Sequence, residues 1–181
     1  MLNLRNILAT LAILMVVSGC ATSPTKSPNL SYGQVQLSDQ RLMNLFKRVI
    51  SEDNIRNDDI VVVDEPGNGM MSASTSERKI FVNSTLVSQF TDEQIMFMIA
   101  HELGHMSAQG KPLNGTKAGE QFADYYAILL LNEMNIPILS AISIFQDPKA
   151  GGIHSGGDIH GTNQERYTRL LEKAKEAGMK L

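Results

Sequence analysis

Residues 91–105 read TDEQIMFMIAHELGH, and they predict the helix around which the rest of this 181-residue chain is organised. A Thr followed three residues later by Gln starts a capping box, and the apolar residues behind it predict a buried helix. Residues four apart lie on one helical face, so the imidazoles of His101 and His105 can reach one cation. Glu102 then points toward a water on that cation. This spacing is typical of a zinc-binding helix.

A third ligand is predicted on the following helix. A catalytic zinc has three protein ligands and leaves one position open for water. Glu120 lies fifteen residues after His105 and begins the sequence Glu-Gln-Phe-Ala-Asp, so Glu120 and Asp124 share one helical face. We predict that Glu120 binds zinc and that Asp124 accepts a hydrogen bond from a ligand imidazole. The alternative is a pair of solvated carboxylates on an amphipathic helix.

The surrounding segments predict an α+β fold with more helix than strand. An apolar pattern of helical spacing over residues 42–50, with Ser38 as its N-cap, predicts a first helix. Strands are predicted at residues 60–63, which are β-branched, and at residues 79–83, which alternate polar with apolar side chains. Further helices are predicted over residues 120–134, 137–145 and 163–177.

An extended peptide substrate is expected to bind along the second strand. An exposed strand edge near a catalytic helix can add one more strand through main-chain hydrogen bonds. The residues of this predicted substrate strand are Lys79, Ile80, Phe81, Val82 and Asn83.

All four histidines fall in the helix motif or in the glycine-rich region near the C-terminus. His154 is typical of a surface residue. His160 begins the sequence His-Gly-Thr-Asn-Gln-Glu-Arg, so Arg166 follows it in the first turns of a predicted helix. If the segment 147–161 covers the cleft, His154 or His160 can occupy the open zinc position at rest.

These motifs resemble those of the HtpX-like and CAAX-prenyl-protease-like zinc metallopeptidases, metallopeptidase family 48 of the gluzincin group. The resemblance covers most of the chain after residue 20. It rests on Asn68-Gly69 ahead of the second strand, Ser84-Thr85-Leu86-Val87 after it, the capped His-Glu-x-x-His helix, and Glu-x-x-Ala-Asp at residues 120–124.

Three departures from the family pattern are visible. At residues 68–69 the chain has Asn-Gly, where the family usually has Asn-Ala. The family commonly has His-Pro followed by an arginine, whereas this chain has His160, Gly161 and then Arg166, and glycine leaves the loop less rigid. The segment between His105 and Glu120 is much shorter than in typical members. The chain therefore resembles a minimal form without large lids or membrane insertions.

The resemblance implies a zincin-like domain, mainly helical, with a small sheet whose edge strand lies by the active-site helix. It implies an endopeptidase with one Zn2+ per chain, held by the two helix histidines and Glu120. Glu102 would be the general base toward the zinc-activated water. His160 and Arg166 would lie near the zinc and stabilise the oxyanion.

The N-terminus predicts export and lipidation. Residues 1–19 contain Arg5 ahead of an apolar run that is too short to span a membrane, which is typical of a signal peptide. The run ends in Val-Ser-Gly-Cys, which resembles the lipobox of bacterial lipoproteins and predicts acylation, palmitate included, of Cys20. Residues 20–34 are then a flexible tether, and residues 35–181 are the metallopeptidase domain. The alternative is a free or buried cysteine.

Composition restricts the remaining function classes. The formal net charge of −3 lacks the basic excess that phosphate-backbone binding requires, so nucleic acid is not an expected partner. A single cysteine excludes both a disulfide framework and a Cys-clustered zinc site.

We expect a lipid-anchored protein of the bacterial cell envelope that acts on unfolded or misassembled proteins. Ala21 resembles the sorting signal for the outer membrane, facing the periplasm, of Gram-negative lipoproteins. The competing interpretation is a noncatalytic zinc-binding lipoprotein that acts as a chaperone-like or partner-binding module. An intact Glu102 argues against it, because a structural zinc site needs no base.

Overall fold

The computed structural model describes residues 35–53, 60–67, 69–107, 110–152 and 159–181. They form the predicted α+β arrangement, with more helix than strand. The sheet has four strands in the order β1-β2-β4-β3. Strands β1 and β4 run parallel to β2, and β3 runs antiparallel to β4. The strand bounds are Val35–Gln36 (β1), Val61–Asp64 (β2), Met71–Ser74 (β3) and Lys79–Val82 (β4).

The predicted substrate strand is wrong, because β4 is an interior strand. It pairs with β2 on one side and with β3 on the other, so Lys79, Ile80, Phe81 and Val82 offer no free edge. Alternating polar and apolar side chains show that one face of a strand is buried, but they do not show how many neighbours the strand has. The edge that lies beside the predicted zinc-binding helix belongs to β3.

Asn83 is also outside the strand. It is the N-cap of the short helix Ser84–Val87, and its side-chain oxygen accepts a hydrogen bond from the Leu86 amide at 3.3 Å. Asparagine favours such caps because its short polar side chain satisfies an amide that has no partner within the helix.

Six α-helices are present among the described residues. Their bounds are Gln40–Glu52 (α1), Ser84–Val87 (α2), Asp92–Met106 (α3), Lys117–Glu133 (α4), Ile138–Ile142 (α5) and Asn163–Glu176 (α6). The predicted helix over residues 137–145 is α5 followed by a 3-10 turn, Ser143–Gln146. None of the described helices has the length and apolar content that crossing a membrane requires.

Local capping explains where the site-bearing helices begin. Thr91 and Gln94 form the predicted capping box at the start of α3, with bonds of 3.0 and 3.3 Å. Helix α4 begins three residues earlier than predicted, because Thr116 caps it by accepting from the Gly119 amide. At α1 the capping residue is Asp39 rather than Ser38, since the Asp39 carboxylate accepts from two amides of the first turn.

Helices α3 and α4 cross at Gly104. A Cβ atom on Gly104 would lie 2.8 Å from the Ala123 Cα and 3.2 Å from the Tyr126 Cβ, which is closer than side chains normally pack. Gly104 is the second variable residue of the His-Glu-x-x-His motif, and it lies where the backbones of α3 and α4 meet. Tyr126 is fixed at the crossing by its hydroxyl, which donates to buried Asp53 at 2.6 Å. This close approach brings the first turns of α4 up to the histidine face of α3.

Candidate metal centre

The three predicted ligands come from two helices and meet at one point. The Nε2 atoms of His101 and His105 are 3.1 Å apart. Glu120 Oε2 lies 3.4 Å from His101 Nε2, and Glu120 Oε1 lies 3.4 Å from His105 Nε2. Among the described residues, these three form a group whose ligand atoms all lie within 4.8 Å of one another. The structure thus brings all three side chains together.

The hydrogen bonds on the far side of each imidazole leave a lone pair toward this point. His101 Nδ1 faces Asp124 Oδ1 at 3.0 Å, and His105 Nδ1 faces Asn114 Oδ1 at 3.0 Å. Because both partners are oxygen acceptors, Nδ1 carries the hydrogen in each neutral ring, and the tautomer is assigned on that basis. Both Nε2 atoms then present lone pairs to each other and to a carboxylate, an arrangement that only a cation stabilises.

The spacing of the donors fits a tetrahedral metal ion. Ligands held at about 2.0–2.1 Å from such an ion lie about 3.3–3.4 Å from one another. The three measured separations, 3.1, 3.4 and 3.4 Å, agree with this value. Glu120 Oε2 is also buried without a hydrogen-bond partner among the described residues. A metal ion would satisfy that oxygen.

Electrostatics favour positive charge at the same point. Burial lowers the pKa of His101, but contacts with Asp124 and Glu120 outweigh it and raise that pKa to about 9. Burial raises the pKa of Glu120, but the imidazoles of His101 and His105 outweigh it and hold that pKa well below its usual range. The directions of these two pKa shifts show that the cluster favours a proton or a metal ion at this point.

Asp124 is completely buried and is held by two arginines as well as by His101. Arg166 donates through Nε at 3.0 Å and through Nη2, and Arg169 donates through Nη2 at 2.7 Å. Burial raises the pKa of Asp124, but His101 and Arg166 outweigh it and hold that pKa below its usual range. The carboxylate is thus ionised, and it fixes the ring of His101 as predicted from the Glu-x-x-x-Asp spacing.

The comparison with known families agrees with this geometry. Residues 36–132, just over half of the chain, match the family model described as Peptidase family M48. The chain belongs to peptidase family M48. The match contains α3 and the first turns of α4, which carry all three candidate ligands. No curated protein matches the chain, and no solved structure matches it. Peptidases of this family depend on a metal ion, which agrees with the cluster of His101, His105 and Glu120.

Glu102 of this M48 chain lies beside the ligands. It is 8% exposed and lines a small cavity together with His101 and Arg166. Burial raises the pKa of Glu102. The apolar part of that cavity is formed by Met70, Met71, Phe97, Met98, Ile144 and Phe145. Met71 is the first residue of β3, so the edge strand of the sheet formed by the described residues begins at this cavity.

His160 and Arg166 both reach the site, although they lie outside the residues that the family model matches. His160 Nε2 is 3.2 Å from Glu120 Oε2, but His160 is not in the group of mutually close ligand atoms. Burial lowers the pKa of His160. Whether His160 occupies the open zinc position at rest therefore stays a prediction. His154 lies outside the described residues.

Most of the Arg166 guanidinium is used to hold Asp124. Its third nitrogen, Nη1, is buried and has no hydrogen-bond partner among the described residues. The guanidinium also stacks on Phe145, with 4.5 Å from the Arg166 Cζ to the ring centroid. Arg166 is 1% exposed and lines the cavity together with Glu102. Two of its three guanidinium nitrogens are used by Asp124, and the third is left as a buried donor.

Three residues around the centre were not found from the sequence. Arg169 is a second donor to Asp124, Phe145 covers Arg166, and Asn114 holds His105. Arg169 follows Arg166 by three residues on one helical face, and that spacing is a signal that could have identified it. Asn114 stands in a loop without periodicity, and Phe145 stands in an apolar run, so neither carries a local signal.

Proposed function

We propose that this M48 chain is a zinc-dependent endopeptidase of the bacterial cell envelope. The observation that carries the proposal is the convergence of His101, His105 and Glu120, with the Glu102 carboxylate at the same cavity. Two imidazoles and one carboxylate are a ligand set that zinc takes in catalytic sites, and they leave one position for water. A purely structural site would have no use for a buried carboxylate that is not a ligand.

When bound, zinc supplies a Lewis acid that polarises the scissile carbonyl and increases the acidity of water. Glu102 takes a proton from the attacking water and later passes it to the nitrogen of the departing amine. Arg166 Nη1 can donate a hydrogen bond to the carbonyl oxygen as negative charge develops there. His160 is the second candidate donor.

The peptide substrate binds along β3 rather than along β4. Met71–Ser74 is a sheet edge, packs beside α3 and begins at the cavity that Glu102 lines. An extended peptide that pairs with β3 would run past the candidate metal centre. Main-chain pairing selects for extended, unfolded segments, which supports a role in removing unfolded or misassembled envelope proteins.

Location at the membrane rests on the sequence. Acylation of Cys20 would attach residues 20–34 as a tether, and the catalytic domain would remain at the bilayer surface. In a Gram-negative host, Ala21 favours the outer membrane, with the domain in the periplasm. Metabolic labelling with an alkynyl fatty acid tests this part: Cys20→Ser should abolish labelling, and labelling that persists would refute it.

The activity is tested with purified protein, loaded with zinc, and an unfolded protein substrate such as casein. Glu102→Gln should lower turnover by about 10²–10⁴-fold, because the proton acceptor is lost, and should leave zinc binding intact. Glu93→Gln is the matched control, since Glu93 lies on the same helix, in its first turn. If Glu102→Gln cleaves the substrate as fast as the unaltered protein, the peptidase proposal is wrong.

A further inference from the structure

Asn114 makes two contacts with one residue, His105. Its side-chain Oδ1 lies 3.0 Å from His105 Nδ1, and its Nδ2 donates to the His105 main-chain carbonyl at 3.3 Å. The second contact fixes the orientation of the amide, since the reversed amide would place two oxygens together. The orientation of the amide then fixes which nitrogen of His105 carries the hydrogen.

The loop that carries Asn114 is packed tightly against both site helices. A Cβ atom on Gly110 would lie 2.0 Å from the Gly104 carbonyl oxygen at the end of α3. At the start of α4, a Cβ atom on Gly119 would lie 2.2 Å from the carbonyl oxygen of Leu113 in the loop. Neither position has room for a side chain. The backbone on both sides of Asn114 is therefore held in place, and the amide is positioned before any ligand arrives.

The two imidazoles are supported by different chemistry. His101 faces a buried carboxylate, Asp124, that two arginines hold. His105 faces a neutral amide on a loop. Since an oxygen acceptor on the far side of a ligand imidazole both orients the ring and increases its basicity, each partner should contribute to metal affinity.

We propose that Asn114 is a positioning residue for the metal centre. It holds His105 as the tautomer whose Nε2 lone pair points toward His101 and Glu120. Asn114 lies in the loop before α4, and the ligand Glu120 follows six residues later in the first turn of α4. The short connection between α3 and α4 therefore positions both residues. This inference rests on the proposed zinc site, although it concerns affinity rather than turnover.

The test measures the zinc dissociation constant by competition with a chromophoric chelator. Asn114→Leu keeps the approximate size of the side chain but removes the acceptor, and it should weaken zinc binding by about 10–100-fold. Asn114→Asp restores an oxygen acceptor while losing the donor to the His105 carbonyl, and it should bind zinc as tightly as the unaltered protein or more tightly. Asn114→Ala gives the same comparison if the leucine variant does not fold.

Thr116→Ala is the matched control in the same loop. Thr116 caps α4 and donates to the Leu113 carbonyl, and none of its side-chain hydrogen bonds to the described residues reaches His105. Its loss should lower the melting temperature and leave zinc affinity unchanged. The inference is overturned if Asn114→Leu and Asn114→Ala bind zinc normally, or if Thr116→Ala weakens binding as much as they do. If the unaltered protein binds no zinc, the proposed function fails instead.

Discussion

Replacing Gly104 with alanine tests whether the helix crossing builds the metal centre. The added methyl group would lie 2.8 Å from the Ala123 Cα, whereas carbon atoms pack best at about 3.5–4.0 Å. Because the nearest atom belongs to the backbone of α4, a change of side-chain rotamer cannot relieve the contact. Helices α3 and α4 must therefore separate by about 1 Å at this point.

The free energy of unfolding should change little, because two effects oppose each other. Overpacking of a buried contact costs about 1–3 kcal/mol. Alanine in place of glycine within a helix contributes about 1 kcal/mol in the other direction. We expect a net loss of about 0–2 kcal/mol in urea unfolding of the metal-free protein. Thr168→Ala, at an exposed position of α6, is the control for helix propensity.

The metal centre should be affected more strongly than stability. A displacement of about 1 Å in an active site can lower activity by about 100-fold. Because Glu120 is on α4 and both histidines are on α3, the separation falls between the ligands. We expect weaker zinc binding and a large loss of casein cleavage. A variant that is about 1 kcal/mol more stable, with normal zinc affinity and normal turnover, would refute the reasoning.

The other predictions concern charge. Asp124→Asn should weaken zinc binding by about 10–100-fold. It should also destabilise the protein by about 3–5 kcal/mol, since it leaves Arg166 buried without a counter-charge. Chelator competition measures the zinc affinity and urea unfolding measures the stability, and normal values of both would contradict the account. In metal-free protein, the pKa of His101 is about 9, against 6.5 in the unfolded chain, and this difference contributes about 3 kcal/mol to the free energy of unfolding. The contribution is fully present below pH 6.5 and is lost as the pH rises through 9. The lowered pKa values of Glu120 and Asp124 contribute stability above about pH 4–5 that is lost in acid. Urea unfolding across pH should therefore show a maximum between about pH 5 and 7, and stability that is flat from pH 6 to pH 10 would contradict the assignment for His101.

The helices that carry the site could be predicted from the sequence because their signals are local. A capping box and the fixed spacing of residues four apart identify α3 and place His101 and His105 on one face. The same rule places Glu120 and Asp124 together on α4. The contact between the two helical faces depends on Gly104. The role of Gly104 could not be predicted, because it depends on which residues of α4 pack against it.

The position of the substrate edge could not be predicted because strand order is not local. The β4 pattern shows one buried face, which an edge strand and an interior strand share. Strand β3 reads Met-Ser-Ala-Ser, without the β-branched or aromatic residues that usually mark a strand. It is a strand because it pairs with β4 in an antiparallel register, a tertiary contact that the sequence does not state.

Some of the residues that hydrogen-bond to the ligands could be predicted from the sequence. Asp124 could be assigned from spacing, whereas Asn114 could not, because its contact with His105 depends on the path of the loop between α3 and α4. Arg166 was expected near the zinc as a donor to the oxyanion. The structure adds that its guanidinium also holds Asp124, a contact between α6 and α4 across 42 residues of sequence.

Anomalous diffraction at the zinc absorption edge tests the central claim most directly. Crystals grown with one equivalent of zinc should show an anomalous peak about 2.0–2.2 Å from His101 Nε2, His105 Nε2 and a carboxylate oxygen of Glu120. The Glu102 carboxylate should lie beside the peak without binding it. A peak bound elsewhere on the chain, or a Glu120 carboxylate that points away from both imidazoles, would contradict the account.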